Sequence, residues 1–378
     1  MKSQLNLIAK KLLIMKKICK SCASKDLIDI KIFKQCMVSD GNIIKGPLSK
    51  AFCKSCGLGF GYNRYKLLNY SRTDGSSENE VKRHEQIAKG IYDIINNNNI
   101  RANLILEIGA GNFQTSHNLA LLNKNFKVQA LEPFPEKKNE FDNVYNIDCE
   151  FSSFETDLKY DVIFPNNVIE HIKDIKFFKK KASLLNENGL MIVCCPSSIK
   201  VSTELLFADH LWHITSLSIK TFCNQVNLYL NSDFVSNWDS LTHVYLIKKR
   251  EKLKKEKKYF DEVINKKRIS FYKKWTEADV NVSKQINQNF FIIFGAGEFT
   301  QLIKIYMPKT FKLAKFIIVN NDNGHRFFNK PIINIEKSNG CLKNAQILLG
   351  VKKSNRKKVA KFLIKSGVEE KNILETLI

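Results

Sequence analysis

The sequence predicts an α/β protein built on parallel sheets of the doubly wound kind. Three observations support this: strand and helix patterns alternate through residues 76–245, a two-glycine turn follows an early strand, and a second strand–glycine turn–helix unit begins near residue 290. Strands that alternate with helices form parallel sheets, because each helix returns the chain to the same edge.

The middle segment shows the alternation most clearly. Ala102 to Glu107 is predicted as a buried strand, and a helix follows near Gln114 to Leu122. A further helix is predicted from His171 to Leu185, with Asn188-Gly189 as its stop signal. The other predicted strands are Phe126 to Leu131, Tyr160 to Phe164 and Leu190 to Cys195.

The C-terminal segment repeats the pattern on a smaller scale. Phe290 to Phe294 is predicted as a strand, and Gly295-Ala296-Gly297 opens the next helix. Phe316 to Val319 and Ala345 to Leu349 complete a truncated mononucleotide-binding pattern. A nicotinamide cofactor is one alternative ligand of this segment. Asn320-Asn321-Asp322 lies where dinucleotide-binding folds often keep an acid, and Asn320 in place of that acid counts against this alternative.

Composition divides the chain into four segments. Residues 1–75 are rich in cysteine and turn residues, and residues 76–245 hold the first α/β pattern. Residues 246–285 are highly charged and are predicted to be a helical linker. Residues 286–378 form the second α/β domain.

Four of the ten cysteines form two Cys-x-x-Cys pairs, Cys19 with Cys22 and Cys53 with Cys56. Each pair can occupy two positions of a tetrahedral metal, and four thiolates favour structural Zn²⁺. Gly57 gives the second pair the form of a zinc knuckle. Free or redox-active thiols are the alternative. Because a four-cysteine site has no open position, we expect residues 1–75 to be a zinc-binding module with a folding role.

The net charge is +24, from 61 Lys and Arg against 37 Asp and Glu. Only eight of these cations are Arg, the residue usually used for bidentate recognition of bases and phosphates. The balance therefore disfavours a nucleic-acid partner, although a basic cleft would suit an anionic small substrate. No apolar run reaches transmembrane length, so we expect a cytoplasmic protein without a membrane partner. The oligomeric state stays open.

Acidic residues surround the first glycine turn. Gly109 and Gly111 permit positive φ and a close approach of backbone to ligand. Glu132 ends the next strand, where a carboxylate can accept both hydroxyls of a ribose, and Asp148 follows a further turn. The turn alone would serve a dinucleotide equally well.

The stretches LEIGAG, ALEP and DVIFPNNVIEHIKD resemble class I S-adenosylmethionine-dependent methyltransferases across residues 100–245. The resemblance implies that Glu107 faces the methionine part of the cofactor, that Glu132 binds the ribose and that Asp148 lies near the adenine. The implied cofactor-binding set is Glu107, Gly109, Gly111, Glu132, Asp148 and Asn167. Phe113 stands where many members have a third glycine, so a Rossmann-like domain that no longer binds the cofactor is an alternative.

A loop beyond the fourth predicted strand carries Asp209, His210 and His213. Ligand-binding loops of open α/β sheets lie beyond the carboxyl ends of the strands, and histidine is the natural general base near neutral pH. These three residues are the candidate catalytic group. Packing or capping roles for the two histidines are the alternative.

A zinc module, a class I methyltransferase domain and a second Rossmann-like domain, in this order, resemble bacterial nucleotide-sugar C-methyltransferases. Those enzymes act on 4-keto-deoxysugars attached to a nucleoside diphosphate. The resemblance implies methylation through an enolate, with His210 as the base, and a C-terminal domain that helps hold the nucleotide sugar. Phe207 replaces a tyrosine of that family. O- or N-methylation of another small molecule, a nucleic-acid methyltransferase and a non-catalytic scaffold protein are the alternatives.

Overall fold

The computed structural model describes residues 18–62, 78–133, 141–172, 177–249, 262–287, 290–320, 326–327, 329–337 and 342–375. The chain divides into two compact units. The first unit comprises Met1–Ile30, Ser49–Leu205 and Asp209–Asn265, and the second comprises Lys31–Leu48, Leu206–Ala208 and Lys266–Ile378. This division assigns residues 31–48 of the predicted zinc module, and most of the helix in the predicted linker, to the second unit.

The described strands are β1 (Leu27–Ile32), β2 (Gln35–Met37), β3 (Ile43–Lys45), β4 (Leu48–Cys53), β5 (Gly59–Gly61), β6 (Leu104–Ile108), β7 (Lys127–Leu131), β8 (Val144–Ile147), β9 (Tyr160–Pro165), β10 (Leu185–Pro196), β11 (Trp212–His213), β12 (Leu228–Val235), β13 (Thr242–Lys249), β14 (Phe291–Phe294), β15 (Ile317–Val319), β16 (Arg326–Phe327), β17 (Lys330–Asn334), β18 (Gln346–Leu349) and β19 (Ile373–Leu374). The described α-helices are α1 (Glu78–Asn97), α2 (Gln114–Leu122), α3 (Phe177–Leu184), α4 (Ser216–Asn224), α5 (Val263–Gln285), α6 (Glu298–Tyr306), α7 (Pro308–Leu313) and α8 (Lys353–Lys365). Within these described helices, none is both long enough and apolar enough to cross a bilayer.

A seven-stranded mixed sheet forms the centre of the first unit, in the order β12-β13-β10-β9-β6-β7-β8. The five strands β8, β7, β6, β9 and β10 are parallel, and along the chain they have the order 3-2-1-4-5 of doubly wound sheets. β13 pairs antiparallel with both β10 and β12. The fold is therefore α/β with a mixed sheet, consistent with a class I methyltransferase domain.

Both faces of this sheet are covered, which explains why its strands are continuous apolar runs in the sequence. Side chains of α1 and α2, such as Ile91 and Leu119, pack on one face. Phe178 of α3 and Phe222 of α4 pack on the other, in a cluster that also includes the cysteine pairs. A small sheet is formed by β1, β4, β5 and β11. Its strands β1, β4 and β5 contain these cysteines or lie close to them in the sequence.

The helix predicted from His171 to Leu185 ends within one residue of its predicted end, but its predicted start is wrong. A 3₁₀ turn occupies Ile169–His171, α3 spans Phe177–Leu184, and β10 already begins at Leu185. The predicted stop signal, Asn188-Gly189, lies inside β10, where the register with β9 shifts between Leu185 and Leu190. A bulge of this kind uses the same residue types as a helix stop, which explains the error.

The second unit contains a six-stranded sheet in the order β16-β17-β15-β14-β18-β19. All of its pairs are parallel except β16 with β17, and the five parallel strands again have the order 3-2-1-4-5. Gly295, after β14, has φ +101°, and a Cβ there would lie 3.0 Å from the carbonyl oxygen of Gly350. Asn320, which stands in place of an acid, directly follows β15, and Asn321 and Asp322 lie outside the described residues.

Candidate functional site

The turn after β6 brings backbone close to its neighbours. Gly109 and Gly111 have φ of +71° and +67°. The amide of Gly109 donates to the carbonyl oxygen of Leu131 at 2.7 Å, which fastens the turn to the end of β7. A Cβ on Gly109 would lie 2.3 Å from Cγ2 of Val168, so only glycine fits without displacement. The turn therefore has its shape from three strand ends, those of β6, β7 and β9.

Two buried carboxylates flank this turn. Glu132 is 1% exposed, and its Oε2 accepts a hydrogen bond from the amide of Gly111 at 2.8 Å. Glu107, in β6, accepts a hydrogen bond from the hydroxyl of Ser116 in α2. Burial of two carboxylates beside one turn is costly unless each is hydrogen-bonded, and both are.

The remaining predicted cofactor residues lie at the same edge of the sheet. Asp148 follows β8, is exposed, and accepts from Nδ2 of Asn146 at 2.5 Å. Asn167 follows β9, and its amide donates to Cys194 of β10 at 2.9 Å. The six predicted residues thus lie at the carboxyl ends of β6 to β9, where open α/β sheets bind ligands.

Phe113 keeps the backbone that a glycine would adopt. Its φ of 63° and ψ of 1° are left-handed, and its amide donates to Ala110 at 3.0 Å. The ring is buried and packs with Ala130 and Val144. The turn is therefore formed despite the missing third glycine, at a backbone cost of about 1–2 kcal/mol.

The four predicted metal ligands converge. Their sulfur atoms all lie within 4.8 Å of one another, with 3.5 Å between Cys19 and Cys56 and between Cys22 and Cys53. A tetrahedron with Zn–S bonds of about 2.3 Å has sulfur–sulfur edges of about 3.8 Å, so the four residues fit Zn²⁺. Hydrogen bonding to Cys53 raises the pKa of Cys19 to about 12, whereas contact with Cys19 lowers that of Cys53. Such coupling is expected of thiols packed close enough to share one cation.

Each pair lies in a tight turn of the knuckle type. The amide of Ala23 donates to Cys19, and that of Gly57 donates to Cys53, both at 3.0 Å. Ala23 and Gly57 have φ of 58° and 72°, so the residue after each pair is left-handed. The sequence predicted such a turn only for Cys53 and Cys56, the pair that Gly57 follows.

Two imidazoles and their carboxylate partners form a second cluster, the His171–His210 cluster, with Glu204 and Asp209. Nδ1 of His210 lies 2.8 Å from Glu204, and Nδ1 of His171 lies 3.3 Å from Asp209. The two rings are 4.8 Å apart at 88°. Glu170, His171 and His210 also bring three ligand atoms within 4.8 Å, a spacing compatible with a metal ion.

Burial and charge act in opposite directions on this cluster. Burial lowers the pKa of His210, but the charges of Glu204, Asp209 and Glu170 outweigh it, so the pKa is raised. Burial raises the pKa of Glu170, and His171 and His210 oppose this. An imidazole beside a carboxylate can accept a proton and hold the resulting cation, which is the task of a general base.

His213, the third residue of the predicted catalytic group, lies in β11. It pairs with Gly59 in the small sheet, and its ring centroid is 6.2 Å from that of Phe52. The structure instead brings His171 and Glu204 to His210, and neither was predicted as a site residue. The position of His171 just beyond β9 was a usable signal, whereas nothing in the sequence singled out Glu204.

No family model and no curated protein matches the sequence. Solved structures with similar folds include a mitomycin 7-O-methyltransferase, at 13% identity over 45% of this chain and 53% of that chain, with a TM-score of 0.39. A second is an S-adenosylmethionine-dependent methyltransferase from Clostridium acetobutylicum, at 16% identity over 44% and 92%, with a TM-score of 0.38. A third is a plantazolicin methyltransferase in complex with SAH, at 14% identity over 47% and 87%, with a TM-score of 0.38. The chain thus spans about half the length of the first of these and most of the other two.

Proposed function

We propose that the first unit transfers the methyl group of S-adenosylmethionine to a small acceptor. The observation that carries the proposal is the carboxyl edge of the sheet, where the turn at Gly109 and Gly111 lies between the buried carboxylates Glu107 and Glu132. Glycines let the cofactor approach the backbone, and a carboxylate fixed at Glu132 can accept both ribose hydroxyls. Asp148, exposed beyond β8, is proposed to face the adenine.

His210 is proposed as the base that prepares the acceptor. The bound cofactor would supply an electrophilic methyl group on its sulfonium. His210 would take the proton from the carbon beside a keto group, and the charge of Glu204, 2.8 Å away, stabilises the imidazolium. Glu132 and the turn at Gly109 and Gly111 would hold the cofactor so that its methyl group is available to this carbon. Alignment of the two reactants supplies much of the rate.

The acceptor that we propose is a keto-deoxysugar nucleotide. The resemblance of the three segments to nucleotide-sugar C-methyltransferases supports it, and a net charge of +24 suits a nucleoside diphosphate. Structural Zn²⁺ at the four cysteines and a Rossmann-like C-terminal domain belong to the same proposal. Phe207 lacks the hydroxyl that the family's tyrosine has at this position. The proposal therefore does not specify the hydroxyl groups of the sugar, and the assay covers several keto-deoxysugar nucleotides.

The experiment separates proton removal from methyl transfer. Keto-deoxysugar nucleotides are incubated in D₂O without S-adenosylmethionine, and exchange of the proton beside the keto group is followed by NMR. Exchange that is lost in His210→Gln and retained in Glu132→Ala supports the proposed base. The cofactor is then added, and the methylated atom is identified.

The possible outcomes distinguish the alternatives. A methyl group on carbon, after exchange at that carbon, agrees with the proposal. Methylation of oxygen or nitrogen without exchange would refute the enolate route and leave the methyltransferase intact. Absence of cofactor binding and of turnover would favour a non-catalytic scaffold.

A further inference from the structure

Lys50 is a fully buried lysine in β4 of the small sheet. It is 0% exposed, and its Nζ donates to the main-chain oxygen of His210 at 2.5 Å. Lysine is almost never fully buried unless it is paired, because removing an ammonium from water is costly. Burial of the Lys50 ammonium therefore has a large desolvation cost, and the hydrogen bond to the His210 peptide offsets part of it.

The residues after His210 are held in a different way. Their contacts include the amide of Leu211 with the oxygen of Glu170 at 2.6 Å, on the same peptide that Lys50 contacts through its oxygen, and the amide of Gly61 with the oxygen of Leu211 at 2.9 Å. Trp212 and His213 form β-pairs with Phe60 and Gly59, and the hydroxyl of Thr215 donates to the oxygen of Cys56 at 2.8 Å. The pairing of β11 with β5 does not extend to His210. Lys50 contacts the peptide of His210 through its side chain, and so reaches the loop two residues before β11 begins.

We propose that Lys50 is a positioning residue, which fixes the His210 peptide so that the imidazole stays against Glu204. This inference rests on the proposed role of His210 as a base. Through Lys50, the position of His210 would depend on the small sheet, whose strand β4 ends at Cys53 of the second cysteine pair. Loss of Lys50 removes the hydrogen bond to the oxygen of this peptide, while the amide of Leu211 keeps its bond to Glu170 and β-pairing still holds residues 212–213.

The test compares Lys50→Met with Lys89→Met. Methionine keeps most of the length and the apolar stem but removes the donor. Lys89 is an exposed lysine of α1 that is paired with Asp93. Lys89→Met therefore makes the same chemical change at a residue outside the His171–His210 cluster. The imidazole resonance of His210, assigned with His210→Gln, is titrated by NMR in each full-length variant. This readout needs neither cofactor nor acceptor, so it still reports on Lys50 if the proposed methyl transfer fails.

We expect the pKa of His210 to fall in Lys50→Met, because the imidazole moves away from Glu204. The groups that face it, Glu204, Asp209, Glu170 and His171, are unchanged in sequence. We also expect kcat to fall about tenfold or more with an unchanged Kd for S-adenosylmethionine, since small misplacements of a base are costly. Lys50→Arg, which keeps the donors, should restore part of kcat, and Lys89→Met should match the wild type.

Two results would overturn the inference. An unchanged pKa of His210 with a lowered Tm would make Lys50 a packing residue only. A raised pKa would mean that the ammonium acts by its charge and not by holding the peptide. If the wild type does not bind S-adenosylmethionine but the pKa of His210 falls in Lys50→Met, the proposed function fails while the positioning role stands.

Discussion

Gly109 is the position at which a single methyl group should do most damage to the proposed cofactor turn. In Gly109→Ala the alanine must adopt φ near +71°, and its new Cβ would lie 2.3 Å from Cγ2 of Val168. The left-handed backbone costs about 1–2 kcal/mol for a residue other than glycine. Relief of the contact adds about 1–3 kcal/mol, as for other overpacked sites. The free energy of unfolding should therefore fall by about 2–5 kcal/mol.

The assay is urea unfolding followed by the fluorescence of Trp212 and Trp238, both in the first unit. Gly367→Ala, in the second unit and followed through Trp275 of that unit, is a control with φ near +90° and no atom of the described residues within 4 Å of its new Cβ. The double variant Gly109→Ala with Val168→Ala removes the contacted methyl groups. Its coupling energy should be favourable, at about 1–3 kcal/mol, because residues in contact are not additive.

Two observations would refute the reasoning. If Val168→Ala brings no recovery, the contact with Val168 does not determine the cost. If Gly109→Ala unfolds like the wild type and binds S-adenosylmethionine with the same Kd, the turn tolerates a Cβ, and its proposed close approach to the cofactor is wrong.

Four further predictions concern the buried charges, the cysteines and the turn. Glu204→Gln should move the rise of kcat/KM to lower pH. Glu204 raises the pKa of His210 above its ordinary value of 6.5, and only the neutral imidazole acts as a base. A pH–rate profile that stays unchanged in this variant would exclude the Glu204–His210 pair from the mechanism. The same shift means that His210 stabilises the fold fully below its unfolded pKa, and that this contribution is lost as the pH rises through the folded pKa, which pH-dependent unfolding can check. Chelation of the metal, or Cys56→Ser, should lower the Tm and change the emission of Trp212, whereas a metal-free protein with unaltered melting would contradict structural Zn²⁺. Phe113→Gly should destabilise by about 2–4 kcal/mol, since loss of a buried ring outweighs relief of the left-handed backbone, while Kd for the cofactor stays unchanged; a weakened Kd would show that the ring shapes the cofactor site.

The sequence predicted those parts of the fold that local pattern determines. α2 was predicted with its observed bounds, and β7 and β9 to within a residue, because an apolar run followed by a glycine or a turn has few other conformations. The α3–β10 junction was not predictable in this way. Asn188-Gly189 is equally suited to a helix end and to a bulge, and the decision depends on pairing with β9.

The candidate site shows the same division. The residues predicted to bind the cofactor lie at the ends of consecutive strands, so the topology alone places them at one edge. The partners of His210 come from β4, from the 3₁₀ turn that holds Glu204 and from the turn after β9, and only the tertiary structure brings them together. The sequence left open whether Phe113 disrupts the turn, and only the structure shows that its backbone adopts the left-handed conformation of a glycine.

The most direct test of the central claim is calorimetric titration of the purified protein with S-adenosylmethionine, beside Glu132→Ala and beside NADH. Micromolar binding to the wild type that is lost in Glu132→Ala is the result that we predict. No heat with S-adenosylmethionine would contradict the methyltransferase proposal, and binding of NADH alone would move the ligand to the turn at Gly295.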